Sequence, residues 1–171
     1  MRMAKGEVIY DKSGLGNYPE ADLAIICVGE PTYAEFFGDI GHESNTLELQ
    51  LSDTQKAQIS NLQTQQIPTA LLLITGRPIV ITEEIDKVDA FVVVWLPGSE
   101  GDGIAEVLFG EYDFKGKLPH SWPQSLKDFD KVYGPNFWDD TTVPLFPFGY
   151  GLSYTNEDRQ EGLKKYYNSI N

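Results

Sequence analysis

The sequence predicts an α/β fold, a three-layer sandwich with a mostly parallel sheet and helices on both faces. Two observations carry this. First, the segments DLAIICV (22–28), TALLLIT (69–75) and AFVVVWL (90–96) are continuous apolar runs, not alternating ones. That is the pattern of strands covered on both faces, as in parallel sheets with helical crossovers. Second, the stretches between them have helical spacing. In LSDTQKAQISNLQTQQ, Ser52 stands as an N-cap, Gln55 three residues on completes a capping box, and Ile59 and Leu62 share one face. Pro68 marks the way into the second strand, and TEEIDKVD has room only for a short crossover helix. After the third strand, Ile104, Val107 and Leu108 fall at i, i+3 and i+4, and Gly110 is placed to stop that helix.

The chain of 171 residues is long enough for one domain with its own core. With 41% hydrophobic and 23% charged residues it reads as globular, not disordered. Its longest apolar run, AFVVVWLP, falls well short of the roughly 20 residues that cross a bilayer. The opening residues MRMAKGEVIYDKSG lack the apolar core and small-residue site of a secretory signal. The single cysteine, Cys27, lies inside an apolar run, reads as a buried packing residue, and leaves the compartment open. Thirteen basic against 26 acidic residues give a net charge of −13, a field that repels phosphate and disfavours nucleic acid and anionic membranes as partners.

Each apolar run is followed by glycine, in VGE, TGR and LPGSEG. In open parallel sheets ligands sit at the carboxyl ends of the strands, so these three loops are expected along one edge. The first, GEPTYAEFFGD (29–39), crowds carboxylates among rings. A carboxyl group shielded by rings loses hydration, which favours its protonated form and suits a general acid. Glu35, between Tyr33 and the pair Phe36 and Phe37, fits that role, and Asp39 after a glycine suits a hydrogen bond to backbone or to a hydroxylic ligand. Arg77 of TGRP is placed to pair with a loop carboxylate and position it.

Other constellations are weaker. Asp39, His42 and Glu43 in GDIGHE have no recognised ligand spacing, and His120 in LPHSWP has no partner in sequence and reads as structural, so no metal is expected. GSEGDG lacks a lysine–serine pair and the dinucleotide spacing, and Glu100 and Asp102 would repel a pyrophosphate. Its glycines read as turn and capping residues, and no cofactor is expected.

Taken in series, ADLAIICVGEPTYAEFFGD, LLLITGRPIVI, FVVVWLPGSEGDGIAEVLFGEYDFKGKLPHSWP and PLFPFGYGLSY resemble the C-terminal α/β sandwich domain of glycoside hydrolase family 3, the β-glucosidases and β-glucan exohydrolases. The resemblance covers residues 20–154, with residues 1–19 as a lead-in strand or linker and 155–171 as a polar tail. It implies a retaining mechanism with two carboxyl groups about 5 Å apart, one the nucleophile and the other the acid/base. In the family the nucleophile stands on a preceding (β/α)8 barrel and the sandwich lends the acid/base glutamate from its first long loop. By motif match that residue is Glu35, with Glu30 as the competing assignment, and Glu30, Tyr33 and Asp39 are the implied substrate-binding residues.

The implied substrate is a β-glucoside or β-glucan oligosaccharide, and the implied partner is a barrel on the same enzyme or a separate subunit. A barrel takes about 250 residues, which this chain does not hold, so it is expected to be inactive alone. The aromatic stretch from Trp122 to Phe148 is the candidate face toward a barrel. Two alternatives stand beside this reading: a non-catalytic carbohydrate-binding or interaction module, and a flavodoxin-like nucleotide binder.

Overall fold

The computed structural model describes residues 6–33, 49–131 and 143–154. They fall into two compact units, one spanning residues 8–97 and the other taken up from residue 98 onward.

The first unit holds β1 (Ala24–Gly29), α1 (Asp53–Thr64), β2 (Thr69–Ile74), α2 (Thr82–Ile85) and β3 (Ala90–Trp95). The sheet order is β1-β2-β3 and both pairings are parallel. Ala24 lies opposite Thr69 and Gly29 opposite Ile74, while β2 meets β3 in step from Ala70–Ala90 to Leu73–Val93. The register then slips, so that Ile74 faces Trp95. Trp95 takes a left-handed backbone, with φ of +54°, where β3 bulges at its carboxyl end. The α/β class and the parallel sheet expected from the apolar runs are both present.

Coverage differs from strand to strand. Leu71, Leu72 and Leu73 of the central strand β2 are all buried, so both of its faces are covered. Each such side chain contributes about 1.5–3 kcal/mol. β1 alternates instead: Ile26 and Val28 are buried, whereas Ile25 is 44% exposed and Cys27 is exposed. The expectation that Cys27 is a buried packing residue is therefore corrected. An apolar run shows that a strand is hydrophobic on both sides, but β1 ends the sheet and has one of its faces open. Partial desolvation pushes the Cys27 thiol up, so it stays protonated.

The predicted capping box is formed. The Ser52 hydroxyl accepts from the Gln55 amide nitrogen (3.3 Å), and Gln55 Oε1 accepts from Ser52 N (2.9 Å). The Gln55 side-chain Nε2 donates to the carbonyl of Gly29 (2.8 Å), tying the start of α1 to the end of β1. Ile59 and Leu62 face the core as their spacing predicts. The far end closes as a Schellman motif: Ile67 N donates to Leu62 O (3.3 Å) and Gln66 N to Gln63 O (2.9 Å).

Gln66 occupies the left-handed position there, with φ of +57°. Glycine has no Cβ penalty at such a site, so Gln66→Gly is expected to stabilise the fold by about 0.5–1 kcal/mol. A higher urea midpoint at unchanged slope is the check.

The lead-in clips onto α1 through side-chain amides one to two turns apart. Gln58 donates to Ser13 O (2.7 Å), Asn61 to Gly16 O (2.9 Å) and Gln65 to Gly16 O (3.0 Å), while Gln65 Oε1 accepts from Tyr18 N (2.8 Å). Within this loop Asp11 accepts from the Tyr18 hydroxyl (2.6 Å) and from Ser13, and these bonds hold its carboxyl at about 2, below its ordinary 3.8. A depressed carboxylate adds stability above its unfolded pKa, and that contribution is lost as pH falls through the folded value. The stability gap between wild type and Asp11→Asn should therefore shrink as pH drops from about 4 toward 2. Because Asp11 is solvent-exposed the gap is small, and thermal midpoints across that window measure it.

In the second unit α3 (Gly101–Leu108) ends as predicted at Gly110, which has φ of +80°. The Tyr154 hydroxyl approaches the carbonyls of Val107 (2.7 Å) and Leu108 (3.1 Å), satisfying the last turn. The aromatic stretch is less irregular than its composition implies. Trp122 and Phe146 form an antiparallel bridge, Leu118 N donates to Tyr150 O (2.8 Å) and Gly149 N to Leu118 O (2.8 Å). Trp122 is 0% exposed and Phe148 is 58% exposed. Trp122 is thus a buried residue, not part of an open face. Among the described residues, no helix is long and apolar enough to cross a membrane.

Candidate active site at the strand carboxyl ends

Parallel pairing puts the carboxyl ends of β1, β2 and β3 on one rim, as the glycine-following pattern predicts. Glu30 is the first residue after β1, and its amide donates to Ile74 O (3.2 Å), continuing the ladder one step. Gly29 precedes it, and a side chain there would strike the carbonyl oxygen of Ile74. Only glycine lets the two backbones come this close.

The Glu30 carboxylate does not project from the rim. Oε1 accepts from Arg77 Nε (3.0 Å) and Oε2 from the Thr75 hydroxyl (2.6 Å), with the Glu30 and Arg77 side chains 5% and 12% exposed. Thr75 is itself buried at the end of β2. Its hydroxyl oxygen accepts from Arg77 N (3.2 Å) and lies 2.6 Å from Arg77 O. Its one proton serves either Glu30 or that carbonyl at a given moment. The ion pair expected between Arg77 and a loop carboxylate is therefore present, and Glu30 is its partner.

Tyr33 completes the cluster. The Arg77 guanidinium lies over its ring, with Cζ 3.9 Å from the centroid, a cation–π arrangement. The phenol oxygen lies against the Gly76 backbone. A Cβ on Gly76 would strike that oxygen and would sit 3.2 Å from Leu96 Cδ1, so the loops after all three strands meet at this glycine. Burial pushes the Tyr33 phenol up and the Glu30 charge adds to it, while Arg77 and the Gly76 N–H pull it partly back.

Of the residues singled out from the sequence, the structure brings together Glu30, Tyr33 and Arg77. Glu35 and Asp39 lie outside the described residues, as do His42 and Glu43. His120 lies in the second unit beside buried Trp122, with ring centroids 6.4 Å apart. Sequence reading missed Thr75 and Trp95. The signal for Thr75 was a hydroxyl ending an apolar strand just before glycine, whereas the left-handed Trp95 had none, since an aromatic residue reads as ordinary strand.

A family model described as "Glycosyl hydrolase family 3 C-terminal domain" matches residues 11–154. The periplasmic β-glucosidase of Salmonella typhimurium is 34% identical, over 80% of this chain and 20% of that protein. The lysosomal β-glucosidase of Dictyostelium discoideum is 31% identical, over 79% of this chain and 16% of that protein. Among solved structures, the exo-1,3/1,4-β-glucanase of a Pseudoalteromonas species superposes with a TM-score of 0.66 at 37% identity, covering 83% of this chain and 18% of that one. A β-glucosidase from Listeria innocua gives 0.59 at 27% identity, covering 78% and 20%. The chain spans a fifth or less of the length of these four proteins.

Proposed function

The chain belongs to glycosyl hydrolase family 3 as its C-terminal domain, and from that premise we propose that it supplies the acid/base carboxylate, Glu35, of a retaining β-glucosidase or exo-β-glucanase. The nucleophile then stands on a (β/α)8 barrel outside these 171 residues, earlier on the same polypeptide or on a separate subunit. In the first half-reaction Glu35 gives its proton to the glycosidic oxygen as the nucleophile attacks the anomeric carbon. In the second, its carboxylate takes a proton from the water that releases the sugar. Asp39 flanks the bound glucoside, while Tyr33 anchors the loop that carries Glu35.

The observation that carries this reading is the disposition of the loop after β1. It leaves the carboxyl rim with Glu30 turned inward onto Thr75 and Arg77, which supports Glu35 over Glu30 as the group facing substrate. The test is to mix the chain with the barrel domain of a family 3 relative and follow aryl-β-glucoside hydrolysis. Hydrolysis by the mixture and by neither part alone is expected. Turnover by the chain alone, or a stable complex without turnover, refutes it.

A further inference from the structure

We infer that Glu30, Arg77 and Tyr33 form a positioning clamp that sets where the proton donor stands, an inference that rests on Glu35 being that donor. The loop after β1 is held twice. At its root the Glu30 carboxylate is locked between the Thr75 hydroxyl (2.6 Å) and Arg77 Nε (3.0 Å). Three residues on, the Tyr33 ring lies under the Arg77 guanidinium, and its hydroxyl packs against Gly76. One arginine thus grips both ends of the segment, and Thr75, Gly76 and Arg77 are consecutive residues on the end of the buried central strand.

Tyr33 precedes Glu35 by two residues in the sequence, so the anchored ring fixes the point from which the chain runs on to the donor. A proton transfer needs its donor within hydrogen-bond reach of the leaving oxygen, and a displacement of about 1 Å can cost about 100-fold.

The chemistry of the cluster is that of orientation. A buried ion pair adds little stability over apolar residues of the same volume. This one is joined to an aromatic ring on the loop itself. Arginine suits both contacts at once, because its Nε edge meets the carboxylate while its planar face stacks on the phenol. Lysine would keep the charge and lose the plane.

The test uses the full chain assembled with a family 3 barrel, in Arg77→Lys and in Gly76→Ala, whose added methyl displaces the phenol and leaves the ion pair. For an alkyl β-glucoside, whose leaving group needs a proton, kcat/KM is expected to fall about 100-fold. For 2,4-dinitrophenyl β-glucoside, which departs without one, it should change less than about 3-fold. Equal losses on both substrates would mean a merely structural role and overturn the clamp.

Glu35→Gln separates the two levels. If it shows the leaving-group pattern and the clamp variants do not, the clamp is wrong and the donor stands. If it lacks the pattern, the donor assignment falls and the clamp with it. On the chain alone, Arg77→Lys should speed hydrogen exchange of the Glu30 amide, which donates to Ile74 O, about tenfold while β2 and α1 stay protected. Unchanged exchange there would also overturn the proposal.

Discussion

Glu35→Gln is expected to remove most of the glycosidase activity of the assembled enzyme, lowering kcat/KM on an alkyl β-glucoside by about 10²- to 10⁴-fold, the contribution of a positioned general acid. Glutamine keeps the size of the side chain and much of its hydrogen bonding, but it has no proton to give and no basic oxygen to take one back. The loss should therefore come with an altered pH profile. The wild-type alkaline limb, which reports the acid in the free enzyme, should vanish from the variant. Glu30→Gln is the informative partner, because it strips Arg77 of its buried carboxylate and should lower thermal stability as well as activity. Wild-type kinetics in Glu35→Gln would sink the assignment.

Gly29→Ala carries the second large effect, and it falls on stability. The added Cβ would strike the backbone carbonyl oxygen of Ile74, the residue opposite in β2. A carbonyl within a parallel ladder cannot swing aside, so β1 must part from β2 at the rim, and the bond from Glu30 N to Ile74 O opens with it. A cost of about 3 kcal/mol is expected, the upper part of the range for overpacking. Urea unfolding measures it, and a wild-type midpoint would contradict the close approach.

Gly76→Ala is the useful contrast, because the atom in its way is the end of the Tyr33 side chain. A ring can rotate out where a strand cannot. That variant should lose less stability and mainly displace Tyr33.

Much of the candidate site was legible in outline. Acidic and aromatic residues after the first strand, and an arginine after the second, named the loops that would meet. Which carboxylate the arginine takes was not legible. The choice of Glu30 depends on Thr75 and Arg77 leaving β2 in register with the first residue after β1, and register is a property of the pair of strands.

What the sequence determined by itself was everything carried by short-range chemistry: the Ser52–Gln55 cap, the face of α1 that bears Ile59 and Leu62, the stop at Gly110, and three strands too apolar to lie anywhere but in a sheet. These depend on bonds and periods spanning a few residues. Only the tertiary structure decided that Cys27 is exposed at the sheet's end, that Trp122 is buried, and that Trp95 takes a left-handed turn at the rim. Burial and strain at those positions are set by residues far along the chain, and a hydrophobic run records a strand's affinity for cover without recording what covers it.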